Sequence, residues 1–308
     1  MNKDTEKQDQ IVLDFVTIFA ERPTMSDITL SQWYSTIIQE AKIADYGPVH
    51  GSLVIRPYGF AIWNQLRDVL DQKLGASGHQ QAYFPLLIPE KFIRDQSNYI
   101  ENFAPRVLTV TKVSDRELAE PLVLRPTSET IVTHMFSKWI DSYRDLPLKL
   151  YQWSNIARWE ERTRPLIKNV EILWLEGHTA HTTHQEALEE VIAITNLFKT
   201  FLTETLSIPV YSGIEPDGRR FAGSLDTYTV EALMPDGKVL QLAAAYDLGQ
   251  KFSRAFRATF RDSDNLNHHC WTTNWGLGFR LIAASMLVHG DSDGLRLPPE
   301  IAPVQVLI

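Results

Sequence analysis

The stretch from Lys149 to His178, KLYQWSNIARWE-ERTRPLIKN-VEILWLEGH, decides the fold. Two runs dense in aromatic and branched apolar residues flank a polar loop, the pattern of two strands joined by a surface connection. Further out, VLTVTKV (107–113) and PLVLRPT (121–127) flank a second polar turn and read as strands. TYTVEALMPDGKVLQLAAAY (227–246) reads as a hairpin turning at Pro235–Gly237, although Ala243, Ala244 and Ala245 are poor strand formers. AYFPLLIP (82–89) reads as a buried strand and Leu53–Ile55 as a short extended one.

Helical periodicity interrupts these strands without alternating regularly with them. Trp33, Ile37, Ile38 and Ala41 share one helical face within residues 27–45. After Pro57 and Gly59, read as punctuation, Ala61, Leu66, Val69, Leu70 and Leu74 form a helical stripe that Gly75 and Gly78 stop. Residues 131–147 predict a helix ending at Pro147. The clearest helix lies in HTTHQEALEEVIAITNLFKTFLTETL (181–206). There Thr183 and Glu186 form a capping box and Ala187, Val191, Ile194, Phe198 and Leu202 share a face. GFRLIAASMLVHG (278–290) is the last long helix, and QIVLDFVTIFAE (10–21) is a candidate short one. Strands at hairpin spacing with irregularly placed helices argue for an α+β fold built on an antiparallel sheet.

Composition narrows the function classes. The chain has 308 residues with a formal net charge of −8, so no global positive field draws in nucleic acid. Its single cysteine, Cys270, excludes an internal disulfide and fits a reducing cytoplasm. The apolar runs are too short to span a membrane, and the N-terminus does not read as a signal peptide. These features predict a cytoplasmic globular protein directed at small molecules.

Several segments carry possible chemistry. Arg158 and Glu160 alternate on one face of a strand, beside a loop bearing Arg162, Arg164 and Lys168. An arginine fixed on a strand can fork onto a phosphate or carboxylate, while a solvated hairpin edge with salt bridges is the competing explanation. In LRPTSET (124–130), Thr127 and Glu129 offer a hydroxyl and a carboxylate to an ammonium; alternatively Thr127 or Ser128 caps the following helix. TTNWGLGFR (272–280) delivers Arg280 to the N-terminus of an apolar helix, a place that favours anions. His178, His181 and His184 step by three across a strand-to-helix junction, a poor metal arrangement, and NHHCW (267–271) lacks a matching second pair. Gly249–Gln250 is no dinucleotide fingerprint, and nothing marks Cys270 as a nucleophile.

Taken together, PVHGSLVIRPYGFAIWNQL, AYFPLLIP, LRPTSETIV, YRDLPLKLYQWSNIARWE, LWLEGHTAH, TVEALMPDGKVLQ, LGQKFSRAF and WGLGFRLIAASMLVHGDSDGLRLPPEIAPVQV resemble the catalytic core of prolyl-tRNA synthetase. The likeness is to the archaeal and eukaryotic-like type of this class II synthetase, and it runs from about residue 27 to the last residue. The resemblance implies a six-stranded antiparallel sheet flanked by helices, and a homodimer made largely through residues 48–90. It implies residues 1–26 as an N-terminal extension, 27–300 as the catalytic domain, and 301–308 as a stub where an anticodon-binding domain would begin. It further implies ATP with Mg²⁺ as co-substrate and attack of an amino-acid carboxylate on the α-phosphate. By position, Arg158 holds the α-phosphate and the carboxylate, Glu160 faces the adenine amine, and Arg280 meets the γ-phosphate. Gln241, Thr273, Lys168 and Asn169 also serve the nucleotide. Thr127, Glu129, Trp174, Glu176, His178 and Asn274 line the amino-acid pocket.

The departures from that family are local. Ala243, Ala244, Ala245 and Tyr246 stand where the family has Gly-Thr-Ser-His, and Lys168–Asn169 replace an arginine and a threonine. Ile172 replaces an aromatic, Leu175 a glutamine, Asn274 a serine and Arg106 an acidic residue. The expected function is ATP-dependent activation of proline or a close analogue, for an acceptor other than standard tRNA, such as a carrier protein or small molecule. The alternatives are a non-catalytic partner that binds an amino acid or a synthetase, and a genuine divergent prolyl-tRNA synthetase.

Overall fold

The computed structural model describes residues 30–97 and 106–308. The candidate helix at 10–21 lies outside them. The elements that position the site belong to one seven-stranded sheet and the helices on its two faces.

The decisive stretch forms β7 (Leu148–Ala157) and β8 (Glu171–His181), paired antiparallel from Leu148↔Ala180 to Ala157↔Glu171. β8 continues to β14 (Trp271–Gly278), β11 (Val239–Gly249), β10 (Asp226–Leu233) and β9 (Tyr211–Ile214), all antiparallel. These are the six antiparallel strands that the resemblance implies. A seventh, the two-residue β3 (Gln80–Gln81), pairs parallel with β7 at the edge. Beside the sheet, β4 (Leu87–Pro89), β6 (Arg116–Leu124) and β5 (Leu108–Val113) make a three-stranded sheet, and β1 (Ala44–Tyr46) pairs with β2 (Leu53–Ile55). β12 (Thr259–Arg261) and β13 (Asn267–His269) form a small hairpin.

The alternation of side chains along each strand divides the core into two clusters. Leu175, Trp275, Leu277, Ala243 and Ala245 point to the face covered by α5 (His184–Thr200). Ala187, Val191, Ile194 and Phe198 of α5, and Leu202 just beyond its end, are fully buried. Each contributes about 1.5–3 kcal/mol of burial for a large apolar side chain, less for Ala187. The capping box forms as predicted, Thr183 Oγ1 accepting from Glu186 N at 3.2 Å. Leu150, Ala180 and Leu248 point to the opposite face, under α4 (Glu129–Trp139) and α6 (Lys251–Phe256). The site lies on this second face.

Several predicted boundaries shift. α2 (Pro57–Ala76) begins at Pro57, because proline's fixed φ suits the first helical turn. Gly59 is inside it, where a Cβ would meet the Ile43 carbonyl at 2.3 Å. The helix also runs through Gly75, so that glycine does not stop it. α1 (Leu30–Glu40) buries Trp33, Tyr34 and Ile38, adding Tyr34 to the predicted face. α4 stops at Trp139 rather than Pro147; a separate 3₁₀ turn at Tyr143–Asp145, with its own Ser142 capping box, precedes the proline. Only Leu87–Pro89 of the predicted 82–89 strand is extended in a ladder. The 227–246 hairpin turns as predicted, closed by Gly237 N donating to Met234 O at 2.9 Å. α7 (Arg280–His289) is the last long helix.

Candidate active site

A cleft of about 230 Å³ opens over β8, β14 and β11. Arg158, Asn169, Trp174, Gln241 and Arg280 line it, together with Ile172, Ala244, Phe221 and Tyr246. The two arginines therefore converge on one space from distant parts of the sequence. Arg158 lies one residue beyond β7, not within a strand as predicted. Its Nε donates to Pro126 O at 2.7 Å, which leaves its terminal nitrogens to the cleft. Arg280 opens α7, with Nε donating to Ile167 O at 2.8 Å and Nη1 to Gln241 O at 3.4 Å. Burial lowers its pKa from the ordinary guanidinium value. The group stays charged at neutral pH, and a partly desolvated cation gains more from an arriving anion than an exposed one does.

A second hollow of about 430 Å³ adjoins the first at Arg158 and is lined by Arg106, Trp159, Glu160, Glu161, Arg162 and Lys168. Lys168 Nζ pairs with Glu160 Oε2 at 2.8 Å and Arg106 with Glu161 at 2.8 Å. Part of the solvated salt-bridge explanation thus holds for the loop. Arg164 turns away, its guanidinium 5.0 Å over the Tyr34 ring.

Behind the cleft lies a buried polar cluster on the same sheet face. Register sets Gln152, Glu176, Gly276 and Ala244 in one cross-strand row, and His178, Asn274 and Tyr246 in the next. Glycine at 276 permits the close approach of β8, because a Cβ there would stand 2.8 Å from Leu175 O. Glu176 accepts on Oε1 from Ser128 Oγ at 2.6 Å, Gln152 Nε2 at 2.7 Å and Ser154 Oγ at 3.0 Å. Its Oε2 accepts from His178 Nε2 at 3.1 Å, and Asn274 Nδ2 donates to His178 Nδ1 at 3.1 Å. Ser128 occupies the N-cap position of α4 but spends its hydroxyl on Glu176 rather than on the helix. Thr127 donates its hydroxyl to Glu129 Oε2.

Two buried carboxylates here have opposite tendencies. Burial raises the pKa of Glu129, and the charge of His178 and the bond from Thr127 only partly offset it. Burial acts the same way on Glu176, but bonds from His178 and Ser128 and the charges of His178 and Arg125 outweigh it, so its pKa falls. Glu176 is therefore a fixed anion satisfied by the protein. Glu129 is the acid left short of a cation, the state that suits a carboxylate awaiting a ligand ammonium.

Thr273 is a correction. It is 1 % exposed and sits in the row of Asp247, Thr179 and Lys149, on the α5 face of the sheet. Its hydroxyl bonds Thr179 Oγ1 at 2.5 Å, so the sheet itself separates it from the cleft. The same alternation halves the four-residue departure at 243–246. Ala243 and Ala245 pack in the α5-side core, and Ala244 and Tyr246 alone present their side chains to the site face. The histidines go different ways: His178 joins the cluster, His181 bonds Thr179 at 2.7 Å and His184 bonds Asp247 at 2.5 Å. Burial pushes the Cys270 thiol up to about 12, so it stays protonated and inert. Ser128, Gln152, Ser154 and Arg125 were missed by sequence reasoning. Arg125 is buried with Nε on Asn155 O at 2.9 Å, and it ties the Phe84–Pro85 loop to the strand leading to Thr127. Only its place two residues before Thr127 could have hinted at that role.

Among the described residues no group of three or more His, Cys, Asp or Glu side chains gathers as a metal site. The described residues do not fit a protein-held Mg²⁺.

Six antiparallel strands thus carry two arginines that meet in one cleft, with buried carboxylates behind it. The chain belongs to the tRNA synthetase class II core domain family (G, H, P, S and T), which matches residues 111–289. Its relatives specify the amino acid in their names. It is 49 % identical to a proline–tRNA ligase of Borrelia garinii subsp. bavariensis, covering 90 % of this chain and 57 % of that protein. It is 48 % identical to that of Rubrobacter xylanophilus, covering 95 % and 62 %. A prolyl-tRNA synthetase from Cryptosporidium parvum complexed with L-proline and AMP superposes with a TM-score of 0.84 at 39 % identity, covering 90 % of this chain and 55 % of that one. The chain thus spans little more than half the length of these relatives.

Proposed function

We propose that this chain activates proline or a close analogue with ATP. The amino-acid carboxylate attacks the α-phosphate, an aminoacyl-adenylate forms, and pyrophosphate leaves. The convergence of Arg158 and Arg280 on one cleft, with a cation-seeking Glu129 behind it, is the observation that carries this reading. Arg158 neutralises the carboxylate and α-phosphate as they approach, and Arg280 takes the leaving pyrophosphate end. Holding the two anions together against their repulsion, with charge stabilisation at phosphorus, supplies the rate without a covalent nucleophile. Glu129 with Thr127 takes the substrate ammonium, Glu176 orients His178, and Trp174 and Asn274 wall the side chain. Glu160, Lys168, Asn169 and Gln241 serve the nucleotide, and Mg²⁺ arrives with the triphosphate. Homodimerisation and a cytoplasmic location complete the proposal. Exposed Val49, Val54, Phe60 and Leu87 in or beside the 48–90 region supply apolar surface for the dimer. Among the described residues no helix is long and apolar enough to cross a membrane.

A specific observation favours an acceptor other than standard tRNA. At Ala244 and Tyr246 the site face offers a methyl group and a phenol, in place of the hydroxyl and imidazole that the family resemblance places there. Hydroxylamine trapping tests the activation step: incubation with ATP and proline should yield prolyl hydroxamate and AMP. No hydroxamate with proline or any close analogue would refute activation. Efficient charging of proline tRNA by this chain would replace the non-tRNA acceptor with the genuine synthetase reading.

A further inference from the structure

The amino-acid cluster is buried in this structure, and one large side chain, Tyr246, is both next to it in the sheet and on the cleft wall. Thr127, Glu129, His178 and Asn274 are each 3 % exposed or less, and none of them lines the cleft. Tyr246 does line it, and it is the strand neighbour of Asn274, which is in turn the neighbour of His178. Its ring therefore stands on the same face of the sheet, between the nucleotide space and the buried carboxylate. Phe221 braces it at 4.8 Å between ring centroids. That brace is itself held, because Phe221 N donates to Thr227 Oγ1 at 2.9 Å and Thr227 is the other strand neighbour of Tyr246. The phenol hydroxyl makes no hydrogen bond among the described residues. It feels the charges of Arg158, Glu129 and Arg280, and burial pushes its pKa up to about 12, so the ring stays neutral.

A substrate with its carboxylate on Arg158 and its ammonium on Glu129 places its Cα between those two groups. Tyr246 is a large side chain close enough to feel the charges of both. We propose that the Tyr246 ring sets the upper size limit of the amino-acid pocket, admitting a five-membered imino acid and excluding its six-membered homologue. This deepens the activation reading and rests on it. A hydrophobic wall discriminates one methylene by roughly 10- to 200-fold, which sets the size of the effect to seek.

The experiment compares kcat/KM for proline and for pipecolate, the six-membered homologue, by ATP–pyrophosphate exchange in the full chain. The proteins are wild type, Tyr246→Ala, Tyr246→Leu and Tyr246→Phe, with ATP-induced thermal shift run in parallel. Leucine keeps apolar packing against Phe221 should alanine fail to fold. The pipecolate-to-proline ratio should rise roughly tenfold or more in the alanine or leucine variant and stay at the wild-type value in the phenylalanine variant. An unchanged ratio in both truncations, with proline exchange retained, overturns the size limit alone. A phenylalanine variant that shifts the ratio as far as alanine also overturns it, by assigning the effect to the hydroxyl. If no protein in the series exchanges with either acid while ATP still shifts melting, the activation reading falls and takes this inference with it.

Discussion

Replacing Arg158 with alanine should remove most of the chemistry while leaving the fold in place. Its Nε bond to Pro126 O at 2.7 Å is the anchor, and the fork beyond it is what the cleft receives. Loss of one preorganised donor to a developing oxyanion costs about 10²–10³ in rate, and loss of an arginine that neutralises a transferring phosphoryl group about 10³–10⁵. Arg158→Ala should therefore lower kcat/KM for proline-dependent ATP–pyrophosphate exchange by about 10³ or more, near 4 kcal/mol of transition-state stabilisation. The structural cost is one unsatisfied carbonyl, about 1–2 kcal/mol, which moves the melting midpoint only a few degrees. Arg164→Ala is the matched control, since that guanidinium packs over Tyr34 and lines neither hollow. It should change exchange less than about tenfold, the effect of less than about 1.4 kcal/mol. A folded Arg158→Ala protein within tenfold of wild type, or an Arg164→Ala protein equally damaged, would refute the clamp.

Three further outcomes follow from the same geometry. Ile172→Phe restores a π-face on the cleft wall and should lower the KM for ATP about fivefold or more, given about 1–3 kcal/mol for stacking a base on an aromatic ring; an unchanged KM removes the base from that wall. Glu176→Gln keeps an acceptor for Ser128, Gln152 and Ser154 but loses the anion that holds His178. The KM for proline should rise about tenfold, from loss of a charged hydrogen bond worth about 1.5–3 kcal/mol, with the KM for ATP unmoved; equal changes in both would contradict the separation of the two sites. On the other sheet face, burial lowers the pKa of His181 from 6.5 to about 4. The unfolded chain takes up that proton first, so stability should fall by about 3 kcal/mol as pH drops from 6.5 toward 4, then level off for this group. Denaturant titrations of wild type and His181→Asn across that range should differ in slope, and parallel curves would disprove the assignment.

Much of this molecule was legible where local pattern and tertiary role agree. The β7–β8 pair, the 227–246 hairpin with its Gly237 turn and the Thr183–Glu186 capping box each carry their signal within a few residues. β9 and the β12–β13 hairpin were not read, because three or four residues are too few to establish a period of two. Face assignment was the costlier gap. Thr273 and Asn274 are adjacent in sequence, yet one faces α5 and the other the site, and only the register against β8 separates them. The shell around Glu176 was hidden for another reason. Its serine and glutamine donors come from 22 to 48 residues away, and such residues carry no periodic mark of a buried partner.

The most direct test of the account is amino-acid-dependent ATP–pyrophosphate exchange by the wild-type chain, run with proline and a panel of other amino and imino acids. Exchange that saturates with proline or a close analogue, and that Arg158→Ala abolishes, is the predicted result. Bound ATP with no exchange for any member of the panel would contradict it, leaving a protein that keeps the synthetase fold without its first chemical step.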